Sequence, residues 1–522
     1  MFRSIRAAGL ATCFGALPLA QAASAAPDTP PQSTPAPADA ALIAHGKYLT
    51  TAGDCAACHT APNGPEFAGG QYMDTPFGKI STPNITPDKA TGIGNYTDDQ
   101  FVRVLHQGIN AKGEHLYPVM PFPWYTKVTR DDALAIKAYL FSLKPIDAPR
   151  KKFALEFPFN IRAALIGWDA VFLKTGVFKP DPRVSPQINR GAYLVQGLEH
   201  CGECHNGRNL LGDTAAAQAL QGGPIDKWYA PNITADPKQG IGRYSDEEVF
   251  NYLKTGHSKE MGVVVGPMAQ TMHESLGKLT DDDLHDIVAY LKSTPPKENA
   301  TFVQESGFTG SNPLGAQVYG NYCASCHQPD GKGLSGSVPA LAGNGAVLAA
   351  GPEDVVRVVL GGIEAQGSYS PMPAIGQRMT DQEVADAVNY VRQSWGNKAP
   401  ATVGPAQVAA LRPQTKSVLA LSAEGDGCGK VVGPLADVVG TEAVQTALHQ
   451  LTLENILYKA NDVINLVHKA APQAKQADII NSLTIAYCPI VQAGQGTVPQ
   501  KVELLDEFSE RLYTQINTHG QM

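Results

Sequence analysis

The chain of 522 residues has only nine cysteines, and it contains no uninterrupted apolar run of the roughly 18 residues a membrane-spanning helix requires. The first lack excludes a disulfide scaffold, and the second excludes a mature chain that crosses a membrane. Positive charge is also scarce: 41 Lys and Arg against 49 Asp and Glu leave a formal charge of −8. That balance argues against a nucleic acid partner, because phosphate backbones are bound mainly by basic side chains. There is no phosphate-cradling loop, no dinucleotide glycine fingerprint and no hydrolase nucleophile motif. The residues offer no catalytic acid, base or nucleophile of their own.

The few cysteines are concentrated. Six of the nine lie in three copies of one signature, Cys55-Ala-Ala-Cys58-His59, Cys201-Gly-Glu-Cys204-His205 and Cys323-Ala-Ser-Cys326-His327. Thiols three residues apart on the first turn of a helix face the same way and can each add to a haem vinyl group. The histidine that follows reaches the iron. Three copies therefore imply three covalently bound haem c groups. Cys13 lies near the N-terminus, which leaves Cys428 and Cys488. These two either form one bridge, as an oxidising compartment favours, or stand as separate buried thiols.

The N-terminus reads as a secretory signal over residues 1–25: Arg3 and Arg6, a mostly apolar core from Ala7 to Ala20, and the small residues Ala23-Ser24-Ala25 at the cleavage point. Export suits covalent haem attachment and places the chain in the periplasm. Removing Arg3 and Arg6 takes the charge to −10. Residues 26–40, rich in Pro, Thr and Ala, read as a tether.

An internal repeat surrounds each motif. A glycine and an aromatic residue precede it, in Gly46-Lys-Tyr48, Gly191-Ala-Tyr193 and Gly315-Ala-Gln-Val-Tyr319. Thr129, Thr280 and Thr380, each with an acid three positions on, are N-caps of a closing helix, and the third is a capping box. Ten residues after each threonine stands a tyrosine, Tyr139, Tyr290 or Tyr390, in a structural, core-packing role. Units one and two also share Pro83-Asn-Ile-Thr86 and Pro231-Asn-Ile-Thr234, and Gly92-Ile-Gly94 and Gly240-Ile-Gly242, which read as loops. Beyond Asn397 a linker leads to helical periodicity without a motif, carried by Leu453, Ile456, Leu457, Val463, Ile464 and Val467, then Ile479, Ile480, Leu483 and Ile490, then Val502, Leu505, Phe508 and Leu512. These should pack as a small bundle, with His449 and His468 as ordinary histidines.

An iron that carries electrons without binding small molecules needs a sixth ligand, and methionine sulfur favours the ferrous state. Met120, Met268 and Met372 each stand beside proline past their motif, at 61 positions from His59, 63 from His205 and 45 from His327. The expected metal ligands are thus His59 with Met120, His205 with Met268, and His327 with Met372. Met73, Met261, Met272 and Met379 are the competitors, read as core fillers or as lacking the flanking proline. Closed irons form a relay and leave no open position for substrate. Three rivals differ in chemistry: zinc or thiol-redox sites at the Cys pairs, a haem enzyme with one open iron, and a free-standing multihaem carrier.

Pro83-Asn-Ile-Thr86 with Gly92-Ile-Gly94, Phe157-Pro-Phe-Asn-Ile-Arg162, Gly167-Trp168, Asn189-Arg-Gly-Ala-Tyr-Leu194, Gly266-Pro-Met268 and Ser394-Trp-Gly-Asn397 together span roughly residues 41–397. In this combination the sequence resembles the tri-haem cytochrome c subunits of membrane-bound periplasmic dehydrogenases for alcohol, gluconate, sorbitol, fructose or aldehyde. The resemblance implies an all-α fold of three tandem class I cytochrome c domains plus a C-terminal helical domain. It implies an electron-transfer subunit and not an enzyme, with a dehydrogenase large subunit (pyrroloquinoline quinone, flavin or molybdopterin), ubiquinone and the cytoplasmic membrane surface as partners. The expected divisions are cytochrome c domains at 41–146, 187–297 and 313–398, linkers at 147–186, 298–312 and 399–435, and the helical domain at 436–522. Tyr96, Tyr244 and Ile188 stand where the family pattern has tryptophan, and the tail beyond Asn397 is longer than the family's.

Overall fold

Gly46, Gly191 and Gly315 each lie where two helices cross too closely for a side chain. In the computed structural model a Cβ at these positions would overlap the backbone oxygen of Ala135, Asp286 or Asp386. The first helix of each pair is Pro37–Ala52, Pro186–Tyr193 or Pro313–Tyr322, and the second is Arg130–Ser142, Asp281–Ser293 or Asp381–Gln393. Each glycine thus meets the residue four positions before Tyr139, Tyr290 or Tyr390, so one helix crossing is used three times. The structure describes residues 37–214, 218–225, 227–298, 312–334, 336–364, 366–367, 369–399, 403–415, 428, 431, 435–474 and 476–519. The secretory signal, Cys13, most of the tether and most of the linkers at 298–312 and 399–435 fall outside them.

The closing helices begin as their capping residues require. Thr129, Thr280 and Thr380 accept from the backbone N–H of Asp132, Asp283 and Glu383 at 3.1, 3.2 and 3.2 Å. Glu383 answers by accepting from the Thr380 N–H at 2.8 Å, completing the capping box. Each cap contributes about 1 kcal/mol. In units one and two the acid has a second use. The Tyr48 hydroxyl donates to Asp283 of the other unit, and the Tyr193 hydroxyl donates to Asp132 in return. The two units therefore face each other in a pseudo-two-fold arrangement. Arg190 reinforces one side with a bidentate pair to Asp283 at 2.7 and 2.8 Å. Tyr193 precedes Cys201 by one residue more than Tyr48 precedes Cys55, and the π-helical turn Leu194–Leu198 absorbs the extra residue.

The helices dominate, but the all-α expectation needs correcting. Tyr72–Thr75, Gly78–Ser81 and Ala154–Leu155 form a three-stranded antiparallel sheet, and two further hairpins pair Gly223–Ile225 with Trp228–Ala230 and His257–Ser258 with Gly262–Val263. All but Ala154–Leu155 lie in the long loops between motif and methionine, whose backbone groups find partners there without forming helix. Strand Ala154–Leu155 also shows that residues 147–186, expected as linker, pack back on unit one.

Units two and three meet through buried polar groups. Asp354 accepts from the Tyr229 N–H at 2.8 Å and is 5 % exposed, and burial pushes its carboxyl up to about 7. The folded state therefore holds this proton more tightly than the unfolded chain, whose aspartate has an ordinary value near 3.8. Its contribution is greatest at acid pH and is lost as pH rises toward and through 7. We expect Asp354→Asn, which keeps an acceptor oxygen, to raise the melting temperature at pH 8 and leave it unchanged near pH 4. A calorimetric pH series checks this.

The C-terminal helices Glu442–His449, Ile456–Ala470, Gln476–Ala493 and Val498–His519 bury one continuous core that includes Val463, Ile479, Leu483, Val502, Phe508 and Leu512. Leu453 and Leu457 are exceptions to the expected stripe, being 41 % and 49 % exposed. Leu453 precedes its helix, and Leu457 lies off the face that buries Ile456, Ala460 and Val463. His449 bonds locally to the Gln445 carbonyl at 2.8 Å. Cys428 and Cys488 are joined in a disulfide that ties the chain before the bundle to its third helix. Among the described residues no helix is long and apolar enough to cross a membrane.

Candidate haem-binding sites

Each Cys-x-x-Cys-His motif forms a short helix, Cys55–His59, Gly202–His205 or Ala324–His327, that presents its imidazole inward. His59 and His205 are buried and His327 is half-buried. In all three, Nδ1 meets a proline carbonyl: Pro83 at 2.8 Å, Pro231 at 2.7 Å and Pro339 at 3.0 Å. A carbonyl only accepts, so Nδ1 carries the proton and Nε2 is left with its lone pair, the state an iron ligand needs. Burial also lowers all three imidazoles, His327 to about 4, which keeps them neutral.

The proline carbonyls are functional groups that the sequence reading passed over. In units one and two they open the repeated Pro-Asn-Ile-Thr string, and the asparagine explains the repeat. Asn84 accepts from the Thr86 N–H and hydroxyl at 2.9 and 2.7 Å while donating to the Ile146 carbonyl at 2.7 Å. Asn232 does the same with Thr234, at 2.8 Å twice, and with Lys297 at 2.7 Å. This lock fixes the loop that aims the proline oxygen. Unit three reaches the same histidine contact from Val338-Pro339 without the asparagine.

The motif cysteines are half-buried, and the desolvation of their thiols pushes those of Cys55, Cys58, Cys204 and Cys323 up to about 12, with Cys201 and Cys326 raised further. Zinc binding needs thiolates, and among the described residues no group of three or more His, Cys, Asp or Glu could hold a metal ion. The setting suits thiols that end as neutral thioethers. A cavity of about 1810 Å³, with walls that include Cys55, Cys58, His59 and Met120, offers the apolar space a porphyrin requires. Its roof comes from residues 153–172. Tyr117 donates to the Phe159 carbonyl at 2.9 Å, and Arg162 donates to the His115 carbonyl at 2.7 Å while lying over the Tyr117 and Phe153 rings.

The three methionines differ in surroundings. Met120 shares the cavity with its motif, and its backbone is fixed by bonds from its N–H to Tyr117 and from the Phe122 N–H to its carbonyl. Met268 is half-buried against the same core as Cys201, near the start of helix Pro267–Glu274. That helix is preceded by Gly266 at φ 61°, where a Cβ would strike the Trp228 ring. Met372 packs against the same core as Tyr322, the residue before Cys323, and its backbone exchanges two hydrogen bonds with Ile363 at 2.9 Å. Met272 and Met379 are core residues as expected, at 5 % exposure each. Met73 lines the first cavity from the strand Tyr72–Thr75, which its spacing from His59 did not suggest.

Motifs one and two lie against each other. Trp124, four residues past Met120, donates to Glu203 inside motif two at 2.9 Å, and its ring occupies the space a side chain at Gly202 would need. Gln270, two residues past Met268, donates to the Ala57 carbonyl inside motif one at 3.3 Å. Cys58 and Cys204 line the same cavity.

The family model for cytochrome c matches residues 188–295 and 314–395. The chain is 40 % identical over 399 residues to the cytochrome c subunit of the quinone alcohol dehydrogenase of Gluconacetobacter polyoxogenes, covering 72 % of this chain and 85 % of that protein. The chain belongs to the cytochrome c family. The fructose dehydrogenase cytochrome subunit of Gluconobacter japonicus is 38 % identical over 449 residues, with 79 % and 92 % covered. The gluconate 2-dehydrogenase cytochrome c subunit of Pantoea cypripedii is 38 % identical over 399 residues, with 72 % and 90 % covered. As a member of this cytochrome c family the chain carries covalent haem c, and it is an electron-transfer subunit, not a substrate-oxidising one.

Proposed function

We propose that this chain binds three haem c groups and relays electrons from a periplasmic dehydrogenase subunit to ubiquinone at the surface of the cytoplasmic membrane. Cys55, Cys58, His59 and Met120 would hold the first group, Cys201, Cys204, His205 and Met268 the second, and Cys323, Cys326, His327 and Met372 the third, in domains at 41–146, 187–297 and 313–398. Bound haem c supplies a reversible one-electron iron couple. The protein's own part is to fix each imidazole tautomer through Pro83, Pro231 or Pro339, to exclude water, and to hold the sites at a set spacing. The observation that carries the reading is the mutual packing of motifs one and two, Trp124 on Glu203 and Gln270 on Ala57. The relatives' dehydrogenases support the partner, and the dehydrogenase chemistry fixes the substrate, which this chain does not touch.

The membrane partner is supported by residues 150–179. This stretch carries Arg150, Lys151, Lys152, Arg162, Lys174 and Lys179 against Glu156 and Asp169, in a chain that is acidic as a whole. Asp169 is itself buried against His115. The same stretch exposes Phe157 at 78 %, Ile166 at 57 % and Val171 at 70 %. Exposed apolar groups amid bases fit an anionic phospholipid surface. Fully burying one such side chain is worth about 1.5–3 kcal/mol. Phe157→Asp combined with Ile166→Asp should therefore lower binding of the holoprotein to phosphatidylglycerol-containing vesicles by roughly tenfold or more, with all haem retained, since neither side chain lines the cavity. The test of the whole reading is co-purification from solubilised membranes with a dehydrogenase subunit whose substrate drives ubiquinone reduction. Recovery of the chain alone, or reduction of its haem without reduction of quinone, would sink it.

A further inference from the structure

The first two motif helices are each contacted by the other's unit, whereas the third is covered by the C-terminal helices. Cys326 packs against the C-terminal core. Tyr513 of helix Val498–His519 brings its hydroxyl to 3.4 Å from Ser337, two residues before the proline whose carbonyl holds His327. On the side of Met372, Arg378 ends the turn Ile375–Arg378 and forms an ion pair with Asp506 of the same helix. Their side chains are only 15 % and 8 % exposed. The Arg378 guanidinium also lies 5.1 Å from the ring centroid of Tyr322, the neighbour of Cys323.

We propose that helix Val498–His519 closes the third site as a lid, and that Asp506, paired with Arg378, is the charge that sets the reduction potential of the haem held there. This rests on the reading that motif three binds haem. Iron gains a positive charge on oxidation, so a carboxylate in a low-dielectric setting favours the oxidised state and a guanidinium the reduced one. Paired, the two nearly cancel; removal of either exposes the other. The charged and titratable groups facing Asp506 are Arg378 across the interface, Glu503, Glu507 and Glu510 on its own helix, and the motif thiols that haem attachment converts to thioethers. Burial, opposed by Arg378, raises Asp506 to about 7, so pH 8 keeps it ionised in the parent, and Arg378→Gln, which loses the opposing charge, is titrated beside the parent at rising pH until the difference between them is constant.

The experiment is a spectroelectrochemical titration at pH 8 of the full-length holoprotein and three variants. Asp506→Asn should raise one of the three midpoint potentials, changing its oxidised-to-reduced ratio about threefold, which is about 30 mV for a one-electron couple at 59 mV per tenfold. Arg378→Gln should lower the same midpoint by a similar amount, and the double variant should return toward the parent. Loosening of the lid would move both single variants the same way. Arg378→Lys, which keeps the charge, should stay with the parent. Shifts of equal sign in both single variants, equal shifts of all three midpoints, or no shift would overturn the proposal. A peptide spanning Cys323 to His327 that lacks haem by mass would instead overturn the reading beneath it.

Discussion

Replacing Cys201 and Cys204 together with serine should remove about a third of the reduced α-band, because one of three attachment motifs is lost, and should stop electron transfer from the dehydrogenase to quinone. The second effect is far larger than the fraction of haem removed. Unit two touches both of the others: Gly202 is overlain by Trp124 from unit one, Glu203 accepts from its indole, Cys204 shares a cavity with Cys58, and the Tyr229 N–H donates to Asp354 of unit three. A relay fails as a whole when its central member is missing. The same substitution at Cys323 and Cys326 should cost the same share of the α-band and leave the Tyr48–Asp283 and Tyr193–Asp132 contacts intact, since unit three takes no part in them. Mass spectrometry gives the haem count of each variant, and quinone reduction by the reconstituted complex gives the rate. Retention of quinone reduction in the Cys201/Cys204 variant would mean that motif two is not on the electron path.

Much of this was legible in the residues, for identifiable reasons. Covalent attachment forces the thiol spacing, and helix crossing forces glycine at 46, 191 and 315, so both leave local signatures. The threonine caps are local too, and all three are seen as read. What the sequence hid is what depends on long-range pairing. Nothing near Asp132 or Asp283 announces that each cap acid also accepts a tyrosine hydroxyl from the other unit. Nothing in the run of residues 147–186 shows that Phe159 and Arg162 roof the first site, because strand Ala154–Leu155 pairs with residues more than seventy positions away. Pro-Asn-Ile-Thr was visible as a repeat but not as the device that orients histidine, since its purpose lies in a carbonyl that every residue type possesses. Leu453 and Leu457 misled for the opposite reason: they match the periodicity but lie outside the buried face.

Met120→Ala should open the first iron to small molecules, and the reduced variant should bind carbon monoxide at one haem in three. The argument is steric and chemical together. The methionine beside Pro121 offers a soft sulfur in the cavity with His59, and its flanking backbone bonds hold it in place. Removing it leaves alanine, which cannot ligate. The potential of that haem should fall as well, because thioether sulfur favours the ferrous state. Met73 supplies the control that the structure makes necessary, since it lines the same cavity from strand Tyr72–Thr75. Its strand is tied in register to Gly78–Ser81, with Met73 opposite Ile80. Met73→Ala should therefore leave the carbon monoxide spectrum at the parent's null response. If Met73→Ala binds carbon monoxide and Met120→Ala does not, the two sulfurs exchange roles. If the parent itself binds carbon monoxide, one iron is open in the native chain, and the relay reading gives way to that of a haem enzyme.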